Sequence, residues 1–330
     1  MSVAPGRSQA SSHRSPQGEG TPVSTCEFMC QNGDIVAYHD ARIHAFSAVV
    51  KYGLGVFEGL RAYWNAEQQQ LHVFRLAEHL ERLRFGMKVL RCDRIFETAF
   101  LEDCLLRTLR ANEIRENAHI RMIAYIDGDD ELTVTGPVGL TIGVVKRPSA
   151  RTLHSGVRVA VSSWQRISDN ALPPRVKCTA NYVNNRAAEI TARLDGHDGV
   201  LMLSADGKLS EAAGACVFLV RRGELVTPDV ASDILESITR ETVIETARAV
   251  HGLVVHERRV DRTELLAADE AFWCGSGQEV VPIVAVDRIA VGDGQPGPIT
   301  RQIQEHYFRL VRGEIADHPE WRTAVWPKKE

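Results

Sequence analysis

The sequence predicts an α+β protein, with strands and helices mixed rather than repeated as βαβ units. Three observations carry that prediction. Strand-like runs outnumber the strand–helix–strand alternations that a doubly wound sheet requires. A chain of 330 residues exceeds what one hydrophobic core usually organises, so two domains are expected. Hydrophobic residues at 44% and charged residues at 25% describe an ordinary folded globular chain.

Residues 1–25 are rich in Ser, Gly, Pro and Gln, contain two Arg and lack the apolar stretch of a secretory signal. They read as a disordered leader. A first domain is expected over 26–145. Residues 71–75 form a strand candidate, and 77–90 place Leu80, Leu83, Met87 and Leu90 at helical spacing. Residues 96–111 repeat that spacing with Leu101, Cys104, Leu105 and Leu109, and 119–127 and 138–145 read as strands. The apolar pattern stops over 146–156, which we take as the interdomain linker and a loop able to close over a substrate. The second domain, 157–330, opens on an alternating strand. It continues with a helix at 181–194, strands at 199–203 and 215–221 around the turn at Asp206 and Gly207, and a helix at 238–250.

A net charge of −4 gives no reason to expect nucleic acid or a membrane surface as partner. No apolar run reaches the roughly 18 residues that span a bilayer. The seven cysteines, an odd number without paired spacing, argue against a disulfide framework and fit a reducing cytoplasm. No Cys/His cluster has metal-ligand spacing, so no metal site is expected.

The chemistry is concentrated in an ordered set. Lys177 and Tyr182 lie five residues apart, Glu211 heads a strand, and Ser237 with Ile238 and Thr239 opens a helix. Together they offer an amine, a phenol, a carboxylate and a helix end that accepts an anion. Pyridoxal 5'-phosphate (PLP) needs those four groups: a partner for its aldehyde, a donor to its ring oxygen, an anion opposite its ring nitrogen and a phosphate cup.

These residues sit in blocks that resemble the class IV (fold-type IV) PLP aminotransferases, and within them the branched-chain amino acid aminotransferases. The blocks are 52–61 (YGLGVFEGLR), 73–83 (VFRLAEHLERL), 177–182 (KCTANY), Ser210 with Glu211, 238–240 (ITR) and 275–277 (GSG). The run 297–300 (GPIT), leading to a helix that ends near Arg312 and Gly313, resembles the branched-chain subgroup in particular. The resemblance implies a small α+β domain and a larger one with barrel-like β-structure, with PLP between them. It assigns Lys177 as the Schiff-base lysine, and Arg82, Tyr182, Glu211, Leu235, Ile238, Thr239 and Ser276 as further cofactor contacts. Substrate recognition falls to Tyr52, Phe57, Arg61, His119, Arg121, Ser276 and Gly277, with Arg121 receiving the distal carboxylate of glutamate. It further implies ping-pong exchange between branched-chain amino acids and 2-oxoglutarate by a homodimer, one subunit's small domain completing its neighbour's site.

Six residues at four places depart from the family pattern. His119 stands where a tyrosine is usual, Gly277 and Gln278 replace Ala-Ala, Cys216 replaces Asn, and Glu236 with Ser237 replaces Pro-Gly. If His119 holds the substrate α-carboxylate, its protonated form should bind better. Cys178, Cys216 and Cys274 adjoin cofactor blocks, where a cationic site would make thiols reactive. The alternatives are another class IV activity (a D-amino-acid or specialised-metabolite transaminase, or an aminodeoxychorismate-type lyase) and a PLP-binding protein without catalysis. A shift of the PLP absorbance band on adding an amino donor separates the last from the rest.

Overall fold

The computed structural model describes residues 26–129 and 131–327, so the expected leader 1–25 lies outside the described residues. The first half contains β1 (Phe28–Gln31), β2 (Asp34–Ala37), α1 (Ala48–Tyr52), β3 (Gly55–Asn65), β4 (Gln70–Phe74), α2 (Leu76–Val89), α3 (Thr98–Ala111), β5 (Ala118–Ile126) and β6 (Val138–Lys146). The second half contains β7 (Val157–Val161), α4 (Tyr182–Leu194), β8 (Gly199–Leu203), β9 (Leu209–Ala212), β10 (Cys216–Arg221), β11 (Glu224–Thr227) and α5 (Ile238–Ala249). After these come β12 (Val255–Glu257), β13 (Glu270–Gly275), β14 (Glu279–Val286), β15 (Ile289–Ala290), α6 (Pro298–Arg312) and β16 (Arg322–Ala324).

Two sheets organise these elements, and the α+β expectation holds. The first is antiparallel throughout, in the order β16-β4-β3-β5-β6-β1-β2. Helices α2 and α3 cover one face of it, burying Leu80, Leu83, Met87, Leu101, Leu105 and Leu109 against Val56, Leu60 and Ile120. Gly86 permits the close approach of α2 to β3, because a Cβ there would stand 2.9 Å from Val56 Cγ1. The second sheet runs β12-β11-β10-β13-β14-β7-β8-β9, mixes parallel with antiparallel pairs and curls into a half-barrel. Both its faces are covered. Along β10, Val217 and Leu219 enter one apolar cluster, while Phe218 and Val220 enter another with α5 and α6. A strand buried on both faces reads as a continuous apolar run rather than an alternating one.

Residues 146–156 form the crossing between the sheets, with a single short 3-10 turn at Arg151–Leu153. The chain also crosses back at its end. β16 pairs with β4 and Val325 joins the first core, so the segment assigned to the second domain supplies an edge strand to the first sheet. No helix among the described residues is long and apolar enough to cross a membrane.

Candidate active site

The site forms where the segment following Val176 docks on β3. Phe57 N–H donates to the Lys177 carbonyl at 2.9 Å, and Thr179 N–H to the Gly55 carbonyl at 2.9 Å. These bonds fix Lys177, from the second half of the chain, against a strand of the first. Beside it opens a cavity of ≈ 200 Å³ lined by both halves. Lys177 Nζ donates to Tyr182 Oη at 2.6 Å. Tyr182 begins α4 and meets the Phe57 ring edge-on at 4.8 Å. Asn185, one turn further along α4, also lines the cavity.

On another wall lies Glu211, only 5% exposed, the third of the four residues of β9 rather than the head of a strand. Its Oε1 pairs with Arg166 at 2.7 Å, and its Oε2 accepts from Leu235 N–H at 3.2 Å and Cys216 Sγ at 3.7 Å. Burial raises the carboxyl above its ordinary range, with Arg166 pulling the other way. The result is a fixed acidic group whose charge a cationic ring N–H would complete.

The anion-binding end combines α2, α5 and the turn after β13. Ser237 caps α5, its Oγ accepting from Arg240 N–H. The amides of Ile238 and Thr239 donate to no acceptor among the described residues, leaving two donors where the helix dipole favours negative charge. The side chains of Ile238 and Thr239 are buried off the cavity wall, so their expected part is confined to the backbone and to Thr239 Oγ1, 3.4 Å from Ser276 Oγ. Arg82 lines the cavity and is held by a two-point fork to Glu58, with both contacts at 2.7 Å. Glu58 is fully buried. Burial alone would raise its carboxyl, but Arg82 and His79 outweigh that and hold it far below the usual carboxylate range. His79 Nε2 in turn reaches Ser276 Oγ at 3.3 Å. Glu236 presents its carbonyl to Arg82 at 2.8 Å and turns its side chain out to Arg175, so this departure from the family pattern brings no negative charge to the anion site.

The substrate wall follows from register. Arg61 pairs with His119 and Gly59 with Arg121 across β3 and β5, placing these side chains on one face. Gly59 leaves room for the imidazole, since a Cβ there would lie 3.1 Å from His119 Cε1. Phe57, His119, Arg121, Ser276, Gly277 and Leu235 all line the cavity.

Two expected substrate residues do not. Arg61 is buried in an ion pair with Glu279 at 2.7 Å, donates to the Arg147 carbonyl at 2.9 Å and does not line the cavity. Tyr52 is 42% exposed at the end of α1, away from the cavity of its own chain. For His119, whose protonated form is expected from the sequence to bind an α-carboxylate better, the surroundings disfavour that form. Burial and the neighbouring Arg121, Arg147, Arg61 and Lys177 push the imidazole down to about 3, so it is neutral at ordinary pH. The cysteines are corrected likewise. Cys216 and Cys274 face each other across β10 and β13, buried, with burial pushing Cys216 well up and Cys274 to about 12. Cys178 is buried against the Gly53 carbonyl. All three are buried in packing positions rather than exposed at the cavity mouth.

Sequence reasoning missed Arg166, Asn185, Glu58, His79 and Arg147. Asn185 left a signal in its one-turn spacing from Tyr182, and Glu58 and His79 stand inside the blocks 52–61 and 73–83 without a role being assigned to them. A buried arginine is recognisable only from its partner, and Glu211 lies 45 positions from Arg166.

Comparison with known proteins agrees with this geometry. The family model for amino-transferase class IV matches residues 55–286. A probable branched-chain-amino-acid aminotransferase of Aquifex aeolicus is 36% identical over 305 residues, covering 92% of this chain and 98% of the relative. The crystal structure of the branched-chain amino acid aminotransferase from Thermobaculum terrenum in its PLP form is similar at a TM-score of 0.85 and 38% identity, over 92% of this chain and 99% of that one. A branched-chain amino acid aminotransferase from the organism abbreviated T.th., complexed with N-(5'-phosphopyridoxyl)-L-glutamate, is similar at 0.86 and 32%, over 91% and 99%. The matched segment holds β3, Lys177, Glu211 and the start of α5, the residues from which the cavity is built, and the chain belongs to the class IV aminotransferases.

Proposed function

We propose that this aminotransferase exchanges amino groups between branched-chain L-amino acids and 2-oxoglutarate, with PLP held in the cavity beside Lys177 and the two substrates taking turns there. The observation that carries this reading is the Lys177 Nζ–Tyr182 Oη contact in a cavity also lined by the buried Glu211 and by Ser237, which caps α5. The donor set fits PLP: an amine for its aldehyde, an acid for its ring nitrogen, and two amides with Arg82 for its phosphate. When bound, PLP withdraws electrons from the substrate and makes the Cα–H acidic.

The chain's own residues do the rest. Lys177 is the lysine lining the cavity, and its Nζ takes the Cα proton of the amino acid and returns one to the oxo acid in the reverse direction. Tyr182 holds that nitrogen in place. Arg166 holds the Glu211 carboxylate, and Leu235 N–H fixes its second oxygen. Phe57 offers an apolar wall to an aliphatic side chain, while neutral His119 offers an N–H to the α-carboxylate and Arg121 a cation to a distal one. The names of the relatives favour branched-chain substrates, and the T.th. enzyme's complex with a glutamate adduct favours glutamate as the exchange partner.

We place the protein in the cytoplasm as a homodimer. Phe46, Val50 and Tyr52 form an exposed run around α1, and a second copy covering it would bring Tyr52 towards a cavity that its own chain does not let it reach.

Adding leucine, isoleucine, valine or glutamate singly to the PLP-loaded protein should shift its absorbance towards the aminated cofactor, and the matching 2-oxo acids should reverse it. Borohydride reduction and peptide mapping should place the pyridoxyl group on Lys177, and Lys177→Ala should lose transamination entirely. An adduct on another lysine would overturn the site. A shift with glutamate but with none of the branched amino acids would overturn the substrate.

A further inference from the structure

Arg121 and Arg147 both line the cavity, and neither side chain pairs with a carboxylate among the described residues. Arg121 lies against the Phe57 ring, 4.5 Å from its centroid. Both are exposed at the mouth. Although both are exposed, partial desolvation by the cavity walls lowers each guanidinium's proton affinity, with repulsion from Arg147 adding to it at Arg121 and from Arg61 at Arg147. Beneath them His119 is 8% exposed, and neither ring nitrogen has a hydrogen-bond partner. Two cations lining one cavity and a buried imidazole without a partner form a set of donors that no acceptor among the described residues satisfies.

Arg147 is held there by a buried latch. Its backbone carbonyl accepts from Arg61 Nη1 at 2.9 Å, and its N–H donates to the Asn117 carbonyl at 2.9 Å. Arg61 is clamped by Glu279 at 2.7 Å, and the same Glu279 oxygen accepts from Ser149 Oγ at 2.9 Å. Both partners of the ion pair are almost completely buried. The crossing between the sheets is therefore tied down on either side of Pro148, and a tethered backbone gives a surface arginine a restricted reach. This also supplies the role of Arg61: it positions Arg147 rather than touching substrate.

We infer that Arg147 is a specificity-determining residue which, with Arg121, forms a two-guanidinium clamp on the distal carboxylate of a dicarboxylic substrate. The inference rests on the proposed transamination and names the substrate class this mouth favours. An aliphatic amino acid brings no anion to the clamp. A dicarboxylic one brings a single negative charge that both guanidiniums can share, through forked contacts that a lysine cannot reproduce.

The test is the half-reaction of PLP-loaded wild type, Arg147→Gln and Arg147→Lys, each with L-glutamate and L-leucine. A charge-assisted contact is worth roughly a tenfold or larger factor, so Arg147→Gln should lower the glutamate-to-leucine ratio of kcat/KM by that much. The loss should lie in KM, and Arg147→Lys should recover only part of it. An unchanged ratio would overturn the inference, as would equal losses for both substrates, which would put Arg147 on the shared α-carboxylate. Full recovery in Arg147→Lys would overturn the forked clamp. Wild-type protein inert to both amino acids would sink the transamination reading instead, so the two failures are distinguishable.

Discussion

At the scale of residues, the site depends on buried charges held by partners distant in sequence. His119 shows the energetic consequence. Its folded-state value of about 3 lies below the ordinary 6.5, so the fold accepts only the neutral ring. Its contribution to stability is then complete above pH 6.5 and is lost as pH falls through the window down to about 3. His79, lowered mainly by burial, adds a loss of the same sign. Denaturation midpoints should fall on moving from about pH 7.5 to about pH 5, and His119→Asn should flatten that slope. A slope unchanged in the variant would show that His119 takes up no protons on unfolding. KM for amino acids should show no inflection from His119 near neutral pH; a marked rise there would restore the imidazolium. What was legible at this scale is the set of groups that a motif places in order: Lys177, Tyr182, Glu211 and Arg82. The roles of Arg61 and Arg166 were not, because a motif gives a residue's identity while only packing gives its partner.

Elements were legible where one face meets solvent. The amphipathic helices α2, α3 and α5 lie within two residues of their expected bounds, and the half-exposed α4 begins at Tyr182 against an expected 181. β3 escaped strand assignment although it is the longest strand among the described residues, at 11 residues, because it is buried on both faces and interrupted by glycines. β13 and β14 escaped for the same reason, buried almost throughout and therefore without alternation. The start of α5 was legible through its Ser-Ile-Thr sequence, and a test belongs there. Thr239→Val keeps the shape and buried volume but removes the hydroxyl facing Ser276. Losing one such bond costs about 1 kcal/mol, so PLP retention should weaken roughly fivefold in a cofactor-release assay with the helix intact by circular dichroism. Unchanged release would leave the anion to the backbone amides and Arg82 alone.

For the molecule as a whole, the two sheets are joined twice, once through residues 146–156 and once through the return of β16 to β4. Trp321, just before that strand, is 6% exposed, with Arg75 4.5 Å from its ring centroid and Phe74 edge-on at 6.1 Å. Deleting residues 314–330 should lower the melting temperature sharply, since removing a buried tryptophan alone costs roughly 3–5 kcal/mol. It should also make the protein prone to aggregation through the bared β4 edge. A truncated chain that stays soluble and melts normally would show the return to be ornamental. During biosynthesis β4 leaves the ribosome early, whereas the strand that covers it is translated only after the entire second sheet. This edge therefore stays open while that sheet is being made. Vectorial folding cannot complete the first sheet on its own, and its last strand is added only once the second half of the chain has emerged.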